Sequence, residues 1–202
     1  PYFATCNVGA NTPEEYGYYF WWGDTVGYTN NGSAWVSVAD GTTTIEFSGT
    51  DPTATNTYKK TNAELKSLGY IDDDANPVLN AAHDAAKVKL GDSWRMMTKV
   101  ELDALTNTAY CTAVWTDNWN NTSVKGYIVT GNTSGYTDKS IFLPATGYGN
   151  GANITNPGKN GCYWSSTPDL NNSNPDVRLQ YALNISFMSS AFRAGGLARY
   201  RG

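Results

Sequence analysis

What this sequence has little of narrows it first. Only 16% of its 202 residues are charged, it has one histidine, His83, and it has three cysteines. No eighteen-residue apolar run occurs, so direct membrane insertion is not expected. Its 14 Lys and Arg are scattered against 18 Asp and Glu, with a net charge of -4 and a pI near 4.9. No basic stripe follows a phosphate backbone, which argues against nucleic acid as a partner. Cys6, Cys111 and Cys162 lie far apart and form no CxxC, so a zinc cluster is not supported. One disulfide with a free thiol, or three buried thiols, would both fit. A Ser-His-Asp arrangement would depend on His83 alone, which the pattern puts inside a helix, and no GxSxG nucleophile elbow occurs. We therefore expect no catalytic constellation, no metal and no cofactor.

What is present is aromatic and turn-rich. Aromatics make up 13% of the chain, with 14 Tyr and 7 Trp, and glycine numbers 20. That is the profile of a strand-rich extracellular protein. The length suits one domain, residues 1-202, with a polar insertion at about 24-61. Residues 2-6 and 16-23 read as strands, the second unusually aromatic. The opening looks like a strand and not a signal peptide, so any export signal is expected upstream. Within the insertion, residues 36-47 could form a hairpin around Asp40-Gly41.

Residues 63-68 suggest a helical turn or two. A helix is expected from Asn76 and Pro77 to Gly91, with Leu79, Ala82, Ala86 and Leu90 on one face. Asp72, Asp73 and Asp74 precede it and suit its positive end better than a calcium loop, whose alternating ligands are missing. The next helix starts at the capping box Thr98-x-x-Glu101, ahead of Val100, Leu102 and Leu105. Trp94-Arg95-Met96 before it reads as a short buried connector, with Arg95 paired to a carboxylate or to carbonyls. Strands are expected at 124-131, 139-145, 162-166, 182-187 and 197-201. The whole reads as one α+β domain with two helices and twisted, mainly antiparallel sheets.

Six ordered blocks carry a resemblance. They are Ala4-Thr5-Cys6-Asn7-Val8-Gly9-Ala10, Pro13-Glu14-Glu15-Tyr16-Gly17, Phe20-x-Trp22-Gly23, Trp94-Arg95-Met96-x-Thr98, residues 141-148 (Ile141-Phe142-Leu143-Pro144-Ala145-x-Gly147-Tyr148) and Tyr163-Trp164-Ser165-Ser166. The chain resembles the Fibrobacter succinogenes major paralogous domain family over nearly its whole length. Met97 stands where that family usually has proline, and the ending Arg193 to Arg199 is one residue shorter than usual. The resemblance implies a C-type-lectin-like fold, shared broadly with formylglycine-generating enzymes and with the variable proteins of diversity-generating retroelements. It implies an exported protein of a Bacteroides-type gut bacterium, at the cell surface or displayed on a phage particle.

The resemblance also directs attention to the C-terminal part, Pro168 to Arg193. Asn171, Asn172, Asn174 and Asn184, with Tyr181, Ser186, Ser189 and Ser190, are residue types reachable from an Asn codon template by adenine substitution. Arg178, Met188, Phe192 and Arg193 add large recognition side chains. These residues are the expected ligand-binding surface, facing a protein or cell-surface glycan, with the oligomeric state open. Alanine at Arg178, Tyr181 and Phe192 should then abolish binding and spare stability. The nearest strings to lectin calcium triplets are Asn174-Pro175-Asp176 and Trp115-Thr116-Asp117, and neither matches. Trp115 and Trp119 should be exposed, whereas Tyr18 to Trp22 and Tyr163-Trp164 should form core. The alternatives are a formylglycine-generating-type enzyme, which would need a C-terminal cysteine pair where only Cys162 stands, and a passive structural adhesin module.

Overall fold

In the computed structural model the described residues are 2–169 and 179–202. They form a mixed α+β fold of antiparallel sheets with three helices. The strands Tyr28–Asn30 (β1), Trp35–Ser37 (β2) and Thr44–Ile45 (β3) make a small N-terminal sheet. The expected hairpin around Asp40-Gly41 is there, pairing Trp35 with Ile45. Asp40 closes its turn by accepting from the Thr42 and Thr43 amides, both at 2.9 Å.

Segment 24-61 is more than a polar excursion, because Tyr28, Trp35 and Phe47 are buried in it with Tyr19 and Trp21. The rings of Trp35 and Phe47 meet edge to face at 4.7 Å. Each such pair adds about 0.5–1.5 kcal/mol beyond the area it buries.

The helices are Asn62–Ser67 (α1), Ala85–Leu90 (α2) and Lys99–Thr106 (α3). α1 begins at a Thr61–Glu64 capping box and lies where a helical turn or two was expected, so three helices stand in place of the two expected in full. α2 ends at Gly91 as expected, with φ 95°, but it starts at Asp84 instead of Asn76. Two local competitors explain the late start. Leu79 bridges Ile71 and is buried, while the Asn80 side chain bonds the Gly69 carbonyl and the Ala82 amide. Such side-chain bonds offer the backbone an alternative to helix. His83 consequently lies outside the helix, and Ala82 and Leu90 are exposed. Asp73 accepts from the Ala75 amide, and Asp74 pairs with Lys66.

The remaining strands are Cys111–Thr116 (β4), Gly126–Gly131 (β5), Ser140–Pro144 (β6), Tyr148–Asn150 (β7), Asn153–Thr155 (β8), Asn160–Pro168 (β9), Tyr181–Met188 (β10) and Ala191–Ala198 (β11). They form sheets ordered β4-β5-β6, β7-β8 and β11-β10-β9. The last strand falls at 191-198 and not at 197-201. Residues 2-6 and 16-23 lie outside the strands, apart from a bridge between Tyr19 and Tyr28.

Between the β4-β5-β6 and β11-β10-β9 sheets lies the main core: Leu102 and Leu105 of α3, Tyr127, Val129 and Leu143, and Leu183, Ile185 and Phe187. Gly161 permits this packing, because a Cβ there would lie 2.1 Å from the Phe187 ring. Contrary to expectation, Trp115 and Trp119 are half-buried. Trp115 packs edge-on to Tyr127 at 5.4 Å, and Trp119 stacks on Phe142 at 4.5 Å. Tyr19, Trp21 and Trp22 are core as expected. The connector Trp94-Arg95-Met96 is exposed through Arg95 instead of buried.

Candidate functional site

The C-terminal hairpin is built by alternation. Along β10, Leu183, Ile185 and Phe187 point into the core, so Asn184, Ser186 and Met188 point to the opposite face. The antiparallel register with β11 puts Arg193 beside Ser186, Gly195 beside Asn184 and Ala191 beside Met188. β9 adds Cys162 beside Ser186 and Trp164 beside Asn184. This second face is not open along its length. At its far end Ala182 packs with Trp22, Leu65, Ile71 and Leu79, with Trp164 against them.

Exposure therefore rises toward the turn. Asn184 is 1% exposed, Ser186 is half-buried, and Met188 is 44% exposed. Ser189, Ser190, Arg193 and Ala194 are exposed. The tip is also braced. The Tyr127 hydroxyl donates toward the carbonyls of Met188 and Ser189, at 3.1 and 3.3 Å. Phe192 lies 4.9 Å from the Tyr127 ring and 5.8 Å from that of Phe187.

Two expected site residues change role. Asn184 is interior, and its Nδ2 and Oδ1 have no hydrogen-bond partner among the described residues. A Cβ on Gly195 would sit 3.3 Å from Oδ1, so the pairing glycine also makes room for the amide. Its polar character suggested surface; the sheet direction and the tryptophans above it decide otherwise. Phe192 packs against the main core, so its loss would cost stability first. Tyr181 is half-buried beside Gly196. Met188 and Arg193 are exposed, and Ser186 lies at the edge of the open area. Asn171, Asn172, Asn174 and Arg178 lie outside the described residues. The bracing role of Tyr127 has no sequence signal, because it arises between elements far apart in the chain.

The chemistry available elsewhere is mostly engaged within the fold. All three cysteines are free and half-buried. Burial pushes the Cys162 thiol up to about 11, against a smaller opposing effect from Ser186, which leaves little thiolate at neutral pH. His83 stacks on Tyr70 at 3.9 Å, with Nδ1 3.1 Å from the Gly23 carbonyl.

A cleft of about 630 Å³ lies away from the tip, lined by Phe3, Tyr18, Trp94, Met96 and Tyr163 among others. Several of its polar groups are already partnered. Arg95 forks onto Glu101 at 2.6 and 2.7 Å, as expected, and Asn7 donates to the Tyr16 carbonyl and the Tyr163 hydroxyl. These groups of the cleft are thus taken up within the fold, whereas at the tip the side chains of Ser189, Ser190 and Arg193 make no hydrogen bond among the described residues, and Ser186 is engaged with Cys162.

The architecture and the tip together define a mixed α+β scaffold of mostly antiparallel sheets that carries a braced, exposed C-terminal hairpin. No family model, curated protein or solved structure matches the chain.

Proposed function

We propose that the chain is a ligand-binding domain of the C-type-lectin-like form, of receptor or adhesin type, exported to a cell surface or displayed on a phage particle. Its recognition surface is the open half of the C-terminal hairpin, centred on Ser186, Met188, Ser189, Ser190 and Arg193. The observation that carries this reading is the pairing of exposure with rigidity at the turn, where the Tyr127 hydroxyl meets two tip carbonyls. A surface held in one shape loses little conformational freedom on binding. Arg193 and Met188 supply a planar cation and an adaptable apolar arm, and the serines supply hydrogen bonds, which suits a protein or a cell-surface glycan. The kinship with retroelement variable proteins belongs to this proposal and rests on the ordered sequence blocks. Binding and not catalysis is favoured because Cys162 is held as a thiol and His83 is taken up by Tyr70 and Gly23.

The test is binding of the purified domain to intact gut-bacterial cells and to a glycan array. The double variant Met188→Ala/Arg193→Ala should lose at least about tenfold in affinity, as expected for two contact side chains at about 1 kcal/mol or more. Its melting temperature should stay within about 2 °C, because neither side chain is buried. Undiminished binding by this variant would place the recognition surface elsewhere.

A further inference from the structure

Among the described residues the outer edge of β4 has backbone groups with no partner, and their positions can be read from the ladder. The Tyr110 carbonyl accepts from the Asn132 amide at 2.8 Å, which extends the register pairing Cys111 with Gly131 by one step. By alternation, the peptide groups of Thr112, Val114 and Thr116 then point toward β5. The far side of β5 agrees. Gly131 donates to the Lys139 carbonyl, and the Lys125 carbonyl accepts from Ala145, so the odd-numbered residues of β5 serve β6 and the even-numbered ones serve β4. The peptide groups of Ala113 and Trp115 therefore point away from the sheet. Among the described residues nothing hydrogen-bonds to them, and β4 is the end strand of its sheet. The Cys111 amide, in contrast, is taken by the Asn107 carbonyl at 3.0 Å.

Open edges are normally blunted by lysine, proline or a bulge. None of these occurs here. No charge and no proline stands between Ala104 and Thr116, and the pairing with β5 runs without a shift. Val114 is 56% exposed on the outward face, and Tyr110 at the strand's start is 54% exposed.

We propose that this edge joins a second copy of the chain, β4 to β4 and antiparallel, about a twofold axis through Val114. The ladder's own parity selects the register. Ala113 then faces Trp115 of the second copy and exchanges backbone bonds with it in both directions. Thr112 faces Thr116, a favourable cross-strand pair, and Val114 meets its own counterpart with Cα atoms about 4.5 Å apart. A one-residue slip sets outward peptide groups against inward ones. A two-residue slip one way needs the Cys111 amide, which Asn107 already holds. The same slip the other way draws the charged Asp117 into the ladder. The interface is thus self-complementary, closes after one partner, and brings no like charges together. It stands on β4 alone and is independent of the hairpin reading.

Sedimentation equilibrium of the whole chain, from about 1 μM to about 1 mM, reads the assembly state across the usual range of weak-to-moderate dimers. A reversible dimer is expected. Val114→Lys sets two ammonium groups face to face and should weaken it at least about tenfold, with the melting temperature of the monomer unchanged because the side chain is exposed there. Val114→Cys places each thiol against its own copy at disulfide distance, so air oxidation should give a 114–114 link by peptide mapping. Thr112→Cys is the control, because its copies would stand roughly 13 Å apart. A chain that is monomeric throughout overturns the proposal. So does a dimer indifferent to Val114→Lys, or a Val114→Cys link no faster than that of Thr112→Cys.

Discussion

At the scale of single residues, hydroxyls and phenols decide more than charges do. Tyr127→Phe keeps the ring against Phe187 and Phe192 and removes only the bonds to the Met188 and Ser189 carbonyls. The expected cost is about 1 kcal/mol, the usual net value of one hydrogen bond. Hydrogen exchange should quicken at residues 188-191 and stay unchanged in β5; equal quickening in both would make the phenol a general core group and not a brace.

Phenols also set the alkaline limit. Burial raises the Tyr19, Tyr28 and Tyr163 hydroxyls well above the ordinary value of 10.0. The folded chain thus holds protons that the unfolded chain releases, and its stability is full below pH 10 and falls as pH rises above it. Arg199 acts oppositely, since burial lowers it to about 10 from 12.5, but it is one group against three. A urea titration at pH 9 and pH 11 should show a lower midpoint at the higher pH, with a further rise in phenolate absorbance at pH 11 as the buried phenols are released by unfolding.

At the scale of elements, α3 shows local chemistry acting as it reads. Glu101 accepts from the Thr98 amide at 2.9 Å and from Arg95, and the Arg95 bond foremost holds its carboxyl down at about 2. The folded value is depressed, so this stabilisation is present above pH 4.5 and is lost as pH falls toward 2. Glu101→Gln should cost about 1 kcal/mol at pH 7, the scale of a helix cap, and almost nothing near pH 2. A pH-independent cost would assign the loss to packing.

The capping box, the Gly91 stop, and the strands near 124-131 and 139-145 were legible because their causes lie within a few residues. The N-terminal aromatic run was legible as core but not as structure. Trp22 Nε1 donates to the Ser165 carbonyl and Trp164 Nε1 to the Phe20 carbonyl, so indoles across 143 and 144 residues of sequence do what a strand ladder would have done. The hairpin's turn was not legible, since the last strand was expected at 197-201 and falls at 191-198, and the resemblance, not a turn signal, pointed to Ser189 and Ser190. Nor was the burial of Asn184, because Trp164 and the cluster around Trp22 reach its face from distant segments.

At the scale of the molecule, the buried hydrophobic residues fall into three clusters, and Arg199 ties together chain segments that lead into them. It is 1% exposed and lies 4.9 Å over the Trp22 ring of the third cluster. Its Nε donates to the Tyr181 carbonyl at 3.0 Å, at the start of the strand that feeds the main core. Its Nη1 donates to the Thr57 and Lys60 carbonyls at 2.9 and 3.1 Å, in the segment that follows the aromatic N-terminal sheet in the chain. Its own carbonyl accepts from the Trp22 amide. Asp169 attracts the guanidinium and partly offsets the burial that depresses it. Arg199→Met fills the same space and leaves those carbonyls without their donor. The expected loss is about 3–5 kcal/mol, as when one partner is removed from a buried charged network. Denaturation followed separately by tryptophan fluorescence and far-ultraviolet dichroism should lose its coincidence, because the N-terminal aromatic cluster would open before the sheets around α3. Arg199→Lys should recover only part of the stability, since one ammonium cannot reach all the carbonyls that the planar fork spans. A single coincident transition at wild-type stability in Arg199→Met would mean that packing alone joins the clusters, with the guanidinium filling space among them.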